Sequence, residues 1–118
     1  NNIDADVFVS IHCNAFNGVA NGTEVWHYHT SKYGKQLAEC IQRQIVDALW
    51  TEDRGVKGAE PGRNGLYVLS NTDAVAVLVE TAFIDNAEDE VLLRTKQDEF
   101  ARAIARGITD FEQETLNQ

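Results

Sequence analysis

Hydrophobic and polar positions in this chain alternate on two scales, a short one suited to strands and a longer one suited to helices. Asp6-Val7-Phe8-Val9-Ser10-Ile11-His12-Cys13-Asn14 and Val75-Ala76-Val77-Leu78-Val79-Glu80 are rich in branched and aromatic residues. Each predicts a strand buried on both faces, about Val7 to His12 and Val75 to Glu80. From Gly22 to His29 the period is two, Val25 and His27 against Glu24, Trp26 and Tyr28, which predicts a further strand. Leu66-Tyr67-Val68-Leu69 predicts a short fourth strand and Ser70 to Asp73 a turn. Ser31 is placed to cap a helix running to Leu49, whose Tyr33, Leu37, Cys40, Ile41, Ala48 and Leu49 make one apolar stripe. Asn86 is placed to cap a second helix, with acids in its first turn and Val91, Leu92 and Leu93 as its apolar residues. A third begins near Thr95, with Asp98 in a capping-box position, and carries Phe100, Ile104, Ile108 and Phe111. Its tail, Glu112 to Gln118, is expected to fray.

Two segments break the pattern. Asn14-Ala15-Phe16-Asn17-Gly18 reads as a turn. Thr51 to Gly65 reads as a polar loop holding Arg54-Gly55-Val56-Lys57 and the only proline, Pro61. A loop of that length inside a compact domain is often functional. Strands and helices in this mixed order predict an α/β layered fold.

Composition narrows the function. The 118 residues suit one domain, and 43% hydrophobic with 25% charged residues is ordinary for a globular chain. No apolar run reaches the length of a membrane span. Nineteen acidic against ten basic residues give a net charge of −9, which argues against nucleic acid and anionic membranes as partners. Cys13 on a buried strand and Cys40 on a helix stripe predict buried free thiols rather than a disulfide or a thiolate metal site. The chain opens on Asn1-Asn2, without Met or a signal peptide, and is expected to be a piece of a longer polypeptide.

Candidate chemistry sits at strand ends, where open α/β sheets bind ligands. His12 ends the first strand. Alone it would be a hydrogen-bonding strand-end residue; with partners, a neutral imidazole is a common zinc ligand. Asn14, two residues on, is placed to orient a ligand. Glu80 ends the other apolar strand, where a carboxylate is costly to bury unless it is paired or used. It reads either as a strand-end ion pair, with Arg54 or Lys57 as partner, or as a general base whose pKa is raised by burial, close to a metal-bound water. His27 and His29, two apart on a strand, could chelate a metal, but at an expected sheet edge they read first as surface residues, and Glu24 with them. Phosphate-loop, serine-elbow and His-Glu-x-x-His motifs are absent from the sequence.

Taken together, five blocks resemble a known family. They are Ala5 to Ala15 around Ser10-Ile11-His12-Cys13-Asn14, Gly22-Thr23-Glu24-Val25, Arg54-Gly55-Val56-Lys57, Leu66-Tyr67-Val68-Leu69, and Ala76 to Asn86 around Leu78-Val79-Glu80-Thr81-Ala82-Phe83. In order and spacing they resemble the zinc-dependent N-acetylmuramoyl-L-alanine amidases, the catalytic domains of bacterial autolysins and phage endolysins. The resemblance implies a twisted, mostly parallel sheet of about six strands flanked by helices, zinc amidase/phosphorylase-like and truncated at the N-terminus, with residues 1–118 forming one partial catalytic domain. It implies His12 as a zinc ligand and Glu80 as the catalytic acid/base. The implied cofactor is zinc, the implied partner is peptidoglycan, and the implied place of work is extracellular or the cell envelope. The implied reaction cleaves the amide between the lactyl group of N-acetylmuramic acid and L-alanine of the stem peptide, with the Thr51–Gly65 segment lining the peptide groove. Val75 stands where the family usually has proline and Ala82 where it has glycine. The family's other two zinc ligands, a histidine and a glutamate, would fall before Asn1, so the fragment alone is expected to be inactive. A non-catalytic wall-binding or regulatory module, or another zinc peptidase of the wall, would share many of these features.

Overall fold

The computed structural model describes residues 7–61 and 74–116. In chain order these form β1 (Val7–Asn14), β2 (Thr23–Tyr28), α1 (Lys32–Leu49), β3 (Asp53–Ala59), β4 (Val75–Phe83), α2 (Ala87–Thr95) and α3 (Gln97–Leu116). The described strands make one mixed sheet in the order β1-β4-β2-β3. β1 runs parallel to β4 and β2 parallel to β3, while β2 and β4 are antiparallel.

One face of the sheet is covered by helices. Val25, Val77 and Val79 pack with Leu37, Ala38, Cys40, Ile41 and Ile45 of α1 and with Phe100, Ala103, Ile104 and Phe111 of α3. Gly107 lets α3 lie directly on α1, since a Cβ there would stand 2.6 Å from the Ile41 Cα. The opposite face carries Ala59, Ala76 and Leu78 under Trp26 and Tyr28. Period two then places Phe8, Ser10 and His12 of β1 and Glu80 of β4 on this second face.

Helix ends follow the expected chemistry. Ser31 accepts from the Gly34 N–H at the start of α1, and Asn86 accepts from Glu88 and Asp89 at the start of α2. α2 ends at Thr95 and α3 starts at Gln97. Asp98 binds Arg102 at 2.7 Å, in place of the expected capping box.

Other expectations need correction. Asp53–Ala59, read as loop, is strand β3. Its polar residues suit a strand because Arg54 and Lys57 find a carboxylate on β2, and Gly55 at φ 78° carries the irregularity in its register. β1 pairs with only one strand among those described, so Phe8, Ile11 and Cys13 are exposed rather than buried on both faces. Cys40 is buried, and both thiols are free. β4 continues past Glu80 to Phe83. Helical hydrogen bonding reaches Leu116, with Thr115 buried, so the tail does not fray from Glu112. The Leu66–Leu69 strand and the Ser70–Asp73 turn lie outside the described residues.

Candidate active site

Sheet register brings His12 and Glu80 together. They are paired positions on β1 and β4, and Glu80 is in turn paired with Glu24 across β2. The three side chains form a row on the face not covered by α1 and α3. Branched residues on both strands hold this register, because a slip of one residue would turn Val77 and Val79 out of the helix-facing core. Thr81 reinforces the seam by donating from its hydroxyl to the His12 carbonyl at 3.0 Å.

His12 is exposed, and its Nε2 lies 2.7 Å from the Ser10 hydroxyl, two residues back on the same face. Asn14 does not extend this row. The register shifts between His12 and Asn14, and the Asn14 carboxamide accepts from the Ala15 N–H.

Glu80 is half-buried. Its Oε1 is buried without a hydrogen-bond partner among the described residues. Burial raises its pKa, the charge of Glu24 adds to the rise, and His12 opposes it; the net value lies above the ordinary 4.5. Neither Arg54 nor Lys57 pairs with Glu80, so the ion-pair alternative for Glu80 is not formed with either. Both pair with Glu24, at 2.8 Å and 3.1 Å on the same Oε1.

Glu24 is the residue whose importance the sequence understated. It is buried at 5% exposure, not on the surface. Trp26 donates its indole N–H to Oε2 at 2.7 Å. Burial acts to raise the Glu24 pKa, but the bonds from Arg54, Trp26 and Lys57 outweigh it and hold the carboxyl below its ordinary value. Two neighbouring carboxyls are thus pushed in opposite directions, one fixed as an anion and one left basic. The alternation of Glu24 with Trp26 was the available signal, since it put both on one face.

His27 and His29 do not form a chelating pair. His27 is buried with its Nδ1 on the Tyr28 carbonyl, and His29 lies beyond the end of β2 with its Nδ1 on the Ala59 carbonyl. Among the described residues no three His, Cys, Asp or Glu side chains are grouped to hold a metal ion.

A sequence profile of the N-acetylmuramoyl-L-alanine amidases matches residues 1–110. The chain belongs to this amidase family. It is 41% identical over 116 residues to an uncharacterized cell wall amidase of Bacillus anthracis, covering 90% of this chain and 21% of that protein. It is 40% identical over 112 residues to the N-acetylmuramoyl-L-alanine amidase LytC of Bacillus subtilis, covering 91% and 22%. The structure of the CwlD amidase from Clostridioides difficile, solved in complex with the GerS lipoprotein, superposes with a TM-score of 0.82 at 32% identity, covering 93% of this chain and 56% of that one. The chain therefore spans about a fifth of the length of those two curated relatives. The amidase fold, a central sheet flanked by helices, is shared with the CwlD structure, and among the described strands it is a mixed sheet in this chain.

Proposed function

We propose that the protein is a peptidoglycan hydrolase that cleaves the amide between the lactyl group of N-acetylmuramic acid and L-alanine of the stem peptide. The observation that carries the reading is the pairing of His12 with Glu80, whose buried Oε1 has no partner among the described residues. An unpaired buried carboxylate oxygen is costly, and a role in proton transfer accounts for its retention.

The donor set fits a zinc site in part. His12 is an accessible imidazole beside a free carboxylate oxygen on the face that no described helix covers. Catalytic zinc takes three protein ligands, so a complete site would need two ligands besides His12 that the described residues do not group with it. His12 would hold the metal, with Ser10 orienting the ring through its 2.7 Å contact. Bound zinc supplies a Lewis acid that polarises a carbonyl and lowers the pKa of water. Glu80 takes a proton from the attacking water and returns it to the leaving alanine nitrogen. Burial, with the charge of Glu24 adding to it, keeps Glu80 basic. The Bacillus anthracis relative is named a cell wall amidase, and we place this protein's work in the cell envelope or outside the cell.

Two variants of the intact protein test the assignment. Glu80→Gln is expected to retain zinc and lose roughly 10²–10⁴-fold in amidase turnover. His12→Ala is expected to lose metal and activity together. Near-normal turnover of Glu80→Gln would remove Glu80 from the chemistry, and a metal-free Glu80→Gln would make it a ligand.

A further inference from the structure

Arg54 is held in a way that ion pairing alone does not require. Its Nε donates to Glu24 at 2.8 Å, and its guanidinium carbon lies 4.8 Å from the centre of the Phe83 ring. One edge and one face of the group are thus fixed. The two terminal amino groups donate to no described residue, and the side chain is 33% exposed. Lys57 shares the same Glu24 oxygen and is 34% exposed. Two cations therefore share one carboxylate, in a chain whose net charge is −9. A guanidinium with its terminal N–H groups free in a fixed plane is preorganised for bidentate contact with a carboxylate.

Placement adds to the argument. The row His12, Glu80, Glu24 continues onto β3 through Arg54 and Lys57. From β4 to β3 there are two strand gaps, about 10 Å of backbone. An extended peptide covers that in about three residues.

Resting on the amidase reading above, we propose that Arg54, supported by Lys57, binds a free carboxylate of the stem peptide within the first few residues beyond the scissile amide. Glu24 and Phe83 are positioning residues that hold the guanidinium plane. Arg54 is then a specificity determinant that separates peptides with a free carboxylate from those in which it is amidated.

The test uses the intact zinc-loaded protein and two muramoyl-peptides that differ only by carboxylate or carboxamide at the second peptide residue. The wild type is expected to favour the carboxylate substrate in kcat/KM by about 10-fold or more, the scale of a charged hydrogen bond. Arg54→Ala is expected to abolish that preference. Arg54→Lys keeps a cation near Glu24 without the fork and is expected to reduce the preference in part. Equal losses on both substrates would make Arg54 a structural ion-pair partner, and an unchanged preference would exclude it. Calorimetric binding of the free peptide and its amide to the wild type keeps this inference separate from the amidase reading. A preference for the free acid in a protein that cleaves neither substrate would sustain the carboxylate site and overturn the reaction; equal binding overturns the site. Should Arg54→Ala not fold, Arg54→Lys and the wild-type binding comparison decide.

Discussion

Asp89 provides a sharp test of how the site is braced. From its position in α2 it resembles Glu88, a first-turn acid favoured by the helix dipole. In the fold it is 5% exposed, and its Oδ2 accepts from the Gly22 N–H at 2.8 Å and the Phe83 N–H at 2.9 Å. One oxygen thus joins the start of β2 to the end of β4, the strands that carry Glu24 and Glu80. Asp89→Ala would leave two buried N–H groups without their acceptor, at ~1–3 kcal/mol each. The expected loss is about 2–6 kcal/mol. At roughly 4 °C per kcal/mol for a domain near this size, the melting temperature falls by ~8 °C or more. Asp89→Asn keeps an acceptor oxygen but loses its charge, so it should retain part of the stability. Glu88→Ala, on the exposed side of the same turn, should stay within about 0.5 kcal/mol of the parent. Urea unfolding of the three variants separates the two accounts. If Asp89→Ala and Glu88→Ala cost the same, the carboxylate acts only through the helix dipole and does not join the strands.

Two further outcomes follow from packing and charge. Gly107→Ala gains up to ~1 kcal/mol of helix propensity, but its methyl would lie 2.6 Å from the Ile41 Cα; α3 must shift, and a net loss of about 1–3 kcal/mol is expected in thermal unfolding. A more stable variant would show that the helices can separate freely. Glu24 has a folded-state pKa below its ordinary 4.5, so its stabilising contribution is full above that value and is lost as pH falls through the folded pKa. The stability difference between wild type and Glu24→Gln should therefore be largest above pH 4.5 and shrink on acidification; a difference that grew as pH fell would contradict the ion-paired description.

Residues whose partners are close in sequence were legible, and those with distant partners were not. Ser31 and Asn86 cap their own helices, so local spacing sufficed. The Val75 run announced a buried strand, and His12 and Glu80 stood out as the ionisable residues closing two apolar runs before their register was known, although both strands continue beyond them. β3 escaped because its polar side chains are satisfied by Glu24, about thirty residues earlier in the chain. Read alone, Arg54-Gly55-Val56-Lys57 has the composition of a loop. Cys13 and Ile11 misled for the opposite reason. Their residue types suit an interior, but burial depends on how many neighbours a strand has, which its own sequence does not record. Asp89 combined both effects, since a correct local role concealed a long-range one.

The seam between β1 and β4 also has a kinetic meaning. It joins residues such as Thr81 and His12 that lie 69 apart in sequence, whereas β2, α1 and β3 follow one another directly. Contacts that close long loops carry the larger entropic cost and tend to limit folding rates. The pairing that unites His12 with Glu80 is therefore among the costliest to close. A chain with β2, α1 and β3 assembled would still lack the His12–Glu80 pair proposed for catalysis, so on that proposal competence for chemistry would report closure of the β1–β4 seam.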